Sequence, residues 1–151
     1  MSNEEPQPRY RRSLRRPGLL AWLHMLRITR RDQRAAARHL AGWNLSYAQF
    51  DAIAQIGAQE GISQHELADR LLVTQGNITQ LLDKLERRDL VRRRPEGRTN
   101  KLALTPEGRA LFGEVVPAHE DWQQSRLDAL SEEDQRTLLR ILAQLDRAQR
   151  G

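Results

Sequence analysis

The chain has 151 residues and no cysteine. Disulfides, thiol redox sensing and cysteine–zinc ribbons are therefore excluded. No apolar run is long enough to span a bilayer. The N-terminus lacks the apolar core of a secretion signal, so the cytoplasm is the expected location and no membrane partner is expected. The four histidines, His24, His39, His65 and His119, are scattered, and none stands at metal-ligand spacing with another. His24 and His119 fall on the terminal helices, where an exposed or hydrogen-bonded histidine is the plainer reading. A Gly-rich phosphate loop and a nucleophile elbow are both missing. Gly57 and Gly61 flank a loop and read as turn residues. Nothing here points to an enzyme, a metal or a cofactor, and there is no internal repeat.

What is present is one domain's length of chain with 38% hydrophobic residues, enough for a core. Formal charge is +5, unevenly placed. Residues 1–18 contribute +3, residues 19–73 +1, residues 74–105 +4 and residues 106–151 −3. The surplus thus lies on an N-terminal tail and on one central segment, while the C-terminal part is acidic. Such segregation suits a polyanionic partner of that central segment.

The segment opens with a helix start at Ser63, where Ser63 and Glu66 form an S-x-x-E capping box. Leu67, Ala68 and Leu71 give that helix a packing face, with Ala68 small where a second helix must approach. Leu71, Leu72 and Val73 occupy the turn, where helix pairs of this kind often carry glycine. Thr74 then caps a second helix. Its residues Ile78, Leu81, Leu82 and Leu85 recur at helical period and form one apolar stripe. Gly76, Thr79, Gln80, Asp83, Lys84 and Arg87 take the other face, with Gln75 and Asn77 at its first turn. Amides pair bidentately with adenine, and a threonine methyl packs on thymine. Asp83 would repel phosphate. Contact with base edges is therefore expected on the first two turns, from Thr74, Gln75, Gly76, Asn77, Thr79 and Gln80, with Lys84 beyond them.

After Leu90 the period changes from helical to about two. Leu90–Arg94 and Asn100–Leu104 read as short strands joined by a Pro95-Glu96-Gly97 turn. Arg92, Arg93, Arg94, Arg98 and Lys101 place five cations on this hairpin. Beside a groove-sized helix they suit phosphate and minor-groove contact, with Ser63 and Gln64 added at the start of the first helix. The alternative is a solvated edge hairpin whose charges block strand pairing.

The flanks read as helical. Leu19 to Leu40 carries a stripe of Leu19, Trp22, Leu23, Leu26 and Thr29. A second capping box at Ser46–Gln49 opens a helix with Phe50, Ile53, Ala54 and Gly57 on one face. Thr105-Pro106-Glu107 starts a helix that meets Pro117, where a kink is expected. Ser131 starts a last helix expected to bury Leu138, Ile141, Leu142 and Leu145. These terminal stripes either close a monomeric bundle or pack across a two-fold axis. A dimer would set two recognition helices about one DNA turn apart on a pseudo-palindrome. The expected fold class is mainly α with a small two- or three-stranded antiparallel wing: a winged helix-turn-helix with N- and C-terminal dimerisation helices. Its parts are a basic, flexible arm at 1–18, a dimerisation helix at 19–44, the DNA-binding domain at 45–105 and dimerisation helices at 106–151. The arm either follows the phosphate backbone or serves as a solubilising leader.

The stretches LSYAQFDAI at 45–53, SQHELADRLLVTQGNITQLLDKLERRDLV at 63–91 and LALTPEGRALF at 102–112 resemble the MarR family of bacterial regulators in order and spacing. The likeness runs from about Leu19 to Leu145. It implies a homodimer on double-stranded DNA with a pseudo-palindromic operator, acting as a transcriptional repressor. It also implies release by a small aromatic or anionic effector. In the wing the family carries a D-x-R cluster where this chain reads Glu96-Gly97-Arg98 in a shorter loop. Arg98 matches the arginine that enters the minor groove, and Glu96 stands for the acid that braces it. The family's effector pocket lies between terminal helices and winged domain, which makes Trp22, His24, Asp51 and Trp122 the candidate lining. Packing is the alternative role for the tryptophans, and a first-turn helix acid for Asp51. A winged-helix protein–protein module without DNA binding is the other functional class, and it would suit an acidic or apolar recognition face.

Overall fold

The computed structural model describes residues 16–151, so the basic arm expected at 1–18 lies outside the described residues apart from Arg16, Pro17 and Gly18. The element order is α1 (Pro17–Leu40), a 3-10 turn (Ala41–Trp43), α2 (Tyr47–Ala58), α3 (Gln64–Leu71) and α4 (Gln75–Arg87). The hairpin β1 (Val91–Glu96) and β2 (Thr99–Leu104) follows, then α5 (Pro106–Ser125) and α6 (Glu132–Arg150). Among the described residues, six helices and a two-stranded antiparallel sheet make the fold mainly α. Among the described residues no helix is long and apolar enough to cross a membrane. Two compact units divide between Phe50 and Asp51, within α2.

In the first unit, α1 starts two residues before the expected Leu19. Pro17 occupies a first-turn position, where its missing N–H leaves no bond unmade. Arg38 and His39 stand in the last turn, where cations favour the helix dipole. Leu20, Trp22 and Ile28 remain exposed along α1. Ser46 and Gln49 form the expected capping box ahead of α2, with reciprocal bonds of 3.0 and 3.1 Å.

The second unit is built around Ile53, Ile56, Ile62, Leu67, Ile78, Leu82 and Leu85, all fully buried. Of the two sequence readings of Gly57, a turn residue or part of the helix face with Phe50, Ile53 and Ala54, the helix holds. Gly57 lies inside α2, and a Cβ there would come within 2.4 Å of the Phe112 ring. Close helix–helix approach, not backbone freedom, requires glycine at that position. Gly61, at φ +87, is the true turn glycine. Gly108 is a second close approach: a Cβ would stand 2.0 Å from the Leu90 carbonyl oxygen, against which the first turn of α5 is seated.

The α3–α4 turn departs from expectation in an informative way. Leu72 takes the left-handed conformation (φ 55, ψ 42) that glycine usually fills, and its side chain is 92% exposed. Neither burial nor backbone preference favours leucine there.

The hairpin turn also differs from the sequence reading. Pro95 and Glu96 belong to β1, and the turn is the two-residue pair Gly97-Arg98, with Gly97 at φ +62. Glycine at positive φ in the first turn position matches the right-handed twist of paired strands. Proline fits β1 because pairs alternate. Closing the turn at Glu96–Thr99 makes that pair hydrogen-bonded, so Pro95–Asn100 is the non-bonded pair and the absent N–H faces away from β2. The outer edge of β2 is extended by a single bridge, Ser63–Lys101, with Leu102 N–H donating 2.9 Å to the Ile62 carbonyl.

Helix α5 continues through Pro117 from Pro106 to Ser125, so the expected kink does not end it. Ser131 caps α6 as expected. The expected burial of α6 is not met among the described residues. Leu138 is half-buried, while Ile141, Leu142 and Leu145 are exposed at 49, 39 and 39%. The apolar stripe is real, but the described residues leave it open to solvent.

Candidate nucleic-acid interface

Helix α4 presents two unlike faces. Ile78, Leu82 and Leu85 are fully buried, and Leu81 is half-buried. Thr74, Gln75, Gly76, Asn77, Thr79, Gln80 and Lys84 are all exposed. Thr74 caps the helix by accepting from Asn77 N–H at 3.1 Å. Helix geometry leaves the other first-turn N–H groups without intrahelical partners, which favours an anion at this end. Gly76 lies in that same turn. A Cβ there would meet only the Thr74 hydroxyl, at 4.0 Å, so glycine is not forced by packing and leaves the backbone bare toward solvent.

The face is preset by side-chain bonds that strand and helix periodicity do not reveal. The Thr79 hydroxyl donates to the Gln75 carbonyl at 2.9 Å and accepts from the Gln64 amide at 2.9 Å. Gln64 in turn accepts from the Asn100 amide at 3.4 Å. One glutamine of α3 therefore ties α4 to β2. With its hydroxyl so engaged, Thr79 has its methyl left for an apolar contact. Next to it, the Gln75 side-chain nitrogen lies 3.0 Å from His65 Nδ1, and His65 Nε2 lies 3.5 Å from an Asp69 carboxylate oxygen.

The wing sorts its cations by strand parity. Arg92 and Arg94 of β1 share the outer face with Lys101 of β2, and Arg94 and Lys101 are direct cross-strand partners. Like charges placed directly opposite destabilise a strand pair, and an anion bound between them would offset that cost. Arg93 points the other way, with Val91 and Leu102. Its guanidinium bonds Glu86 at 3.0 and 2.6 Å and also Asp83, and its backbone N–H donates 3.0 Å to Glu86. Arg93, expected as a phosphate contact, is instead a strut between β1 and α4. Asp83, expected to repel phosphate, is paired with that arginine. The carboxyl of Glu86 is held below its usual range chiefly by the hydrogen bonds from the Arg93 guanidinium.

Ser63, also expected at the backbone, is buried as the α3 cap, accepting from Glu66 N–H at 3.1 Å. The Glu66 carboxyl is pulled below its usual range by the Ser63 backbone N–H and hydroxyl, and further by Lys101 and Arg70 nearby. Arg98 is exposed in the hairpin turn. Among the described residues no hydrogen bond or ion pair joins it to Glu96, so the expected brace is not formed. Strand parity, counted from Val91, would have separated Arg93 from Arg92 and Arg94 in the sequence. The Gln64–Thr79 and His65–Gln75 pairs join separate helices and left no such signal.

The four candidates for an effector stand as follows. Trp22 and His24 are exposed on α1, with Trp22 at 48%. Asp51 is half-buried on α2, and desolvation raises its carboxyl above the usual range against an opposing hydrogen bond from Gln55. Trp122 on α5 is half-buried and stacks on the buried His119, with ring centroids 5.0 Å apart and Arg126 over its ring. Among the described residues no group of three or more His, Cys, Asp or Glu side chains is placed to hold a metal.

An α3–turn–α4 unit with a polar exposed face, followed by a basic hairpin, defines a winged helix-turn-helix protein. The model of the MarR family matches residues 43–99. An uncharacterized HTH-type transcriptional regulator of Bacillus anthracis is 32% identical over 129 residues, covering 85% of this chain and 88% of that protein. Among solved structures, the S. aureus MepR–DNA complex superposes with a TM-score of 0.75 at 22% identity, covering 85% of this chain and 96% of MepR. PcaV of Streptomyces coelicolor, in complex with its natural ligand, gives a TM-score of 0.68 at 21% identity over 89% of this chain and 94% of PcaV. The chain belongs to the MarR family of transcriptional regulators, which are DNA-binding proteins and not enzymes.

Proposed function

We propose that the protein is a homodimeric repressor that binds a pseudo-palindromic operator through α4 and the wing and is released by a small aromatic or anionic effector. One observation carries the reading: α4 buries its aliphatic stripe while seven polar or glycine positions, Thr74 to Asn77 without interruption and then Thr79, Gln80 and Lys84, stay exposed. Arg92, Arg94, Arg98 and Lys101 of the adjoining hairpin supply cations for the flanking phosphates. The solvent-facing leucines and isoleucine of α6 support the dimer, since an apolar stripe of that length is ordinarily covered. Effector release rests on family membership, with Trp22, His24, Asp51 and Trp122 the positions to vary.

The test is selection of duplexes from a random library by the full-length protein. An inverted repeat should emerge, with affinity falling steeply as salt rises. Gln80→Ala or Asn77→Ala should relax base preference in that repeat by about 1–3 kcal/mol per lost bidentate pair. Recovery of no duplex above background would favour a winged-helix protein–protein module instead.

A further inference from the structure

We propose that His65 decides which end of the Gln75 amide faces the base edges, and that protonating His65 reverses it. The inference rests on α4 lying in the major groove as proposed above. Gln75 is the first residue of α4, and its backbone carbonyl is held by the Thr79 hydroxyl, itself held by Gln64. The backbone at Gln75 is thus tied, and its side chain is left to rotate.

The Gln75 amide nitrogen lies 3.0 Å from His65 Nδ1. An amide nitrogen only donates, so Nδ1 accepts and the ring is neutral with its proton on Nε2. Nε2 lies 3.5 Å from an Asp69 carboxylate oxygen. The Gln75 oxygen is then turned away from the histidine. When Nδ1 takes a proton it becomes a donor, and two donors cannot face each other. The amide must rotate by half a turn so that its oxygen accepts from the ring. Rotation exchanges acceptor and donor along the exposed amide edge. A glutamine that fits the N6 donor and N7 acceptor of adenine in one orientation opposes both in the other. Asp69, on the same helix, is the charged group facing His65. From α4 it is faced by the uncharged Gln75, and among the described residues no other charged side chain forms a hydrogen bond or ion pair with it.

The experiment uses the full-length protein and the duplex that selection returns, with every base substituted in turn across one half-site. Affinities are compared at pH 8 and pH 5.5 at fixed ionic strength, an interval in which imidazoles ordinarily change charge. A new cation raises affinity for all duplexes alike, so the readout is the ratio between bases at one position. Gln75→Ala identifies that position by abolishing its preference at both pH values. There the wild-type ratio should shift about tenfold between the two, in line with the loss of one bidentate pair. His65→Leu, at an exposed site, should leave the ratio independent of pH. A ratio that stays flat in the wild type, or still shifts in His65→Leu, overturns the inference while the regulator stands. Failure of Gln75→Ala to change any preference also overturns it. If no duplex is selected at either pH, the groove-binding reading fails and the inference with it.

Discussion

Replacing Arg93 with methionine keeps the aliphatic stem of the side chain and removes its guanidinium. In the native protein the Arg93 side chain is four-fifths buried, and its guanidinium faces two partly exposed carboxylates, Asp83 at 42% and Glu86 at 33%. An exposed pair of this kind contributes about 0–1 kcal/mol, and removing one partner of a buried pair costs about 3–5. The intermediate burial places the loss near 2 kcal/mol, with Glu86 left holding an unpaired charge. For a chain of this size the melting temperature should fall by about 4–8 °C. A double-mutant cycle with Glu86→Gln should return a coupling of about 1–2 kcal/mol by urea denaturation. The pH dependence has a definite sign. Glu86 titrates lower in the folded protein than unfolded, so its contribution is present above the ordinary glutamate range. It should be lost as pH falls from about 4 through the lower folded value. The same variant separates strut from phosphate contact. A strut leaves the slope of log affinity against log salt unchanged, whereas a lost phosphate contact lowers it by about one. Full stability, a coupling under about 0.5 kcal/mol and a slope reduced by one would together refute the strut.

Leu72→Gly should raise stability by about 0.5–1 kcal/mol, since relief of a left-handed leucine exceeds the entropy glycine adds to the unfolded chain. Little burial is lost because the side chain is 92% exposed, and chemical denaturation would register the gain. Gly108→Ala should cost about 1–3 kcal/mol or more, because its Cβ would meet the Leu90 backbone carbonyl, which cannot rotate aside. Gly113→Ala, with open space at the Cβ, serves as its control and should not destabilise. Ile141→Asp combined with Leu142→Asp should convert the proposed dimer to monomer in sedimentation. Both residues are exposed in the single chain, so its helical circular dichroism should survive. Persistence of a dimer would place the interface elsewhere.

Much of this protein is local, and local chemistry is legible in sequence. Ser46, Ser63, Thr74, Thr105 and Ser131 each start a helix with a side-chain oxygen within four residues of its partner. The aliphatic stripe of α4 and the period-two strands follow from repeat spacing alone. Charge surplus between 74 and 105 needs only counting. These features depend on neighbours a few positions apart, so the chain determined them by itself. What required the tertiary structure joins residues far apart in sequence. Arg93 looks like one of three equal arginines until pleating turns it toward Asp83 and Glu86. The need for glycine at 57 stays hidden until Phe112 is found against it, 55 positions along the chain. Gln64 and His65 reach across a helix crossing to Thr79 and Gln75, and the crossing is set by buried side chains of several elements. Sequence marked α4 as the polar surface proposed to meet a partner. Which of its groups are free to do so, and which are already bonded, depends on contacts that exist only once the helices and the wing have packed.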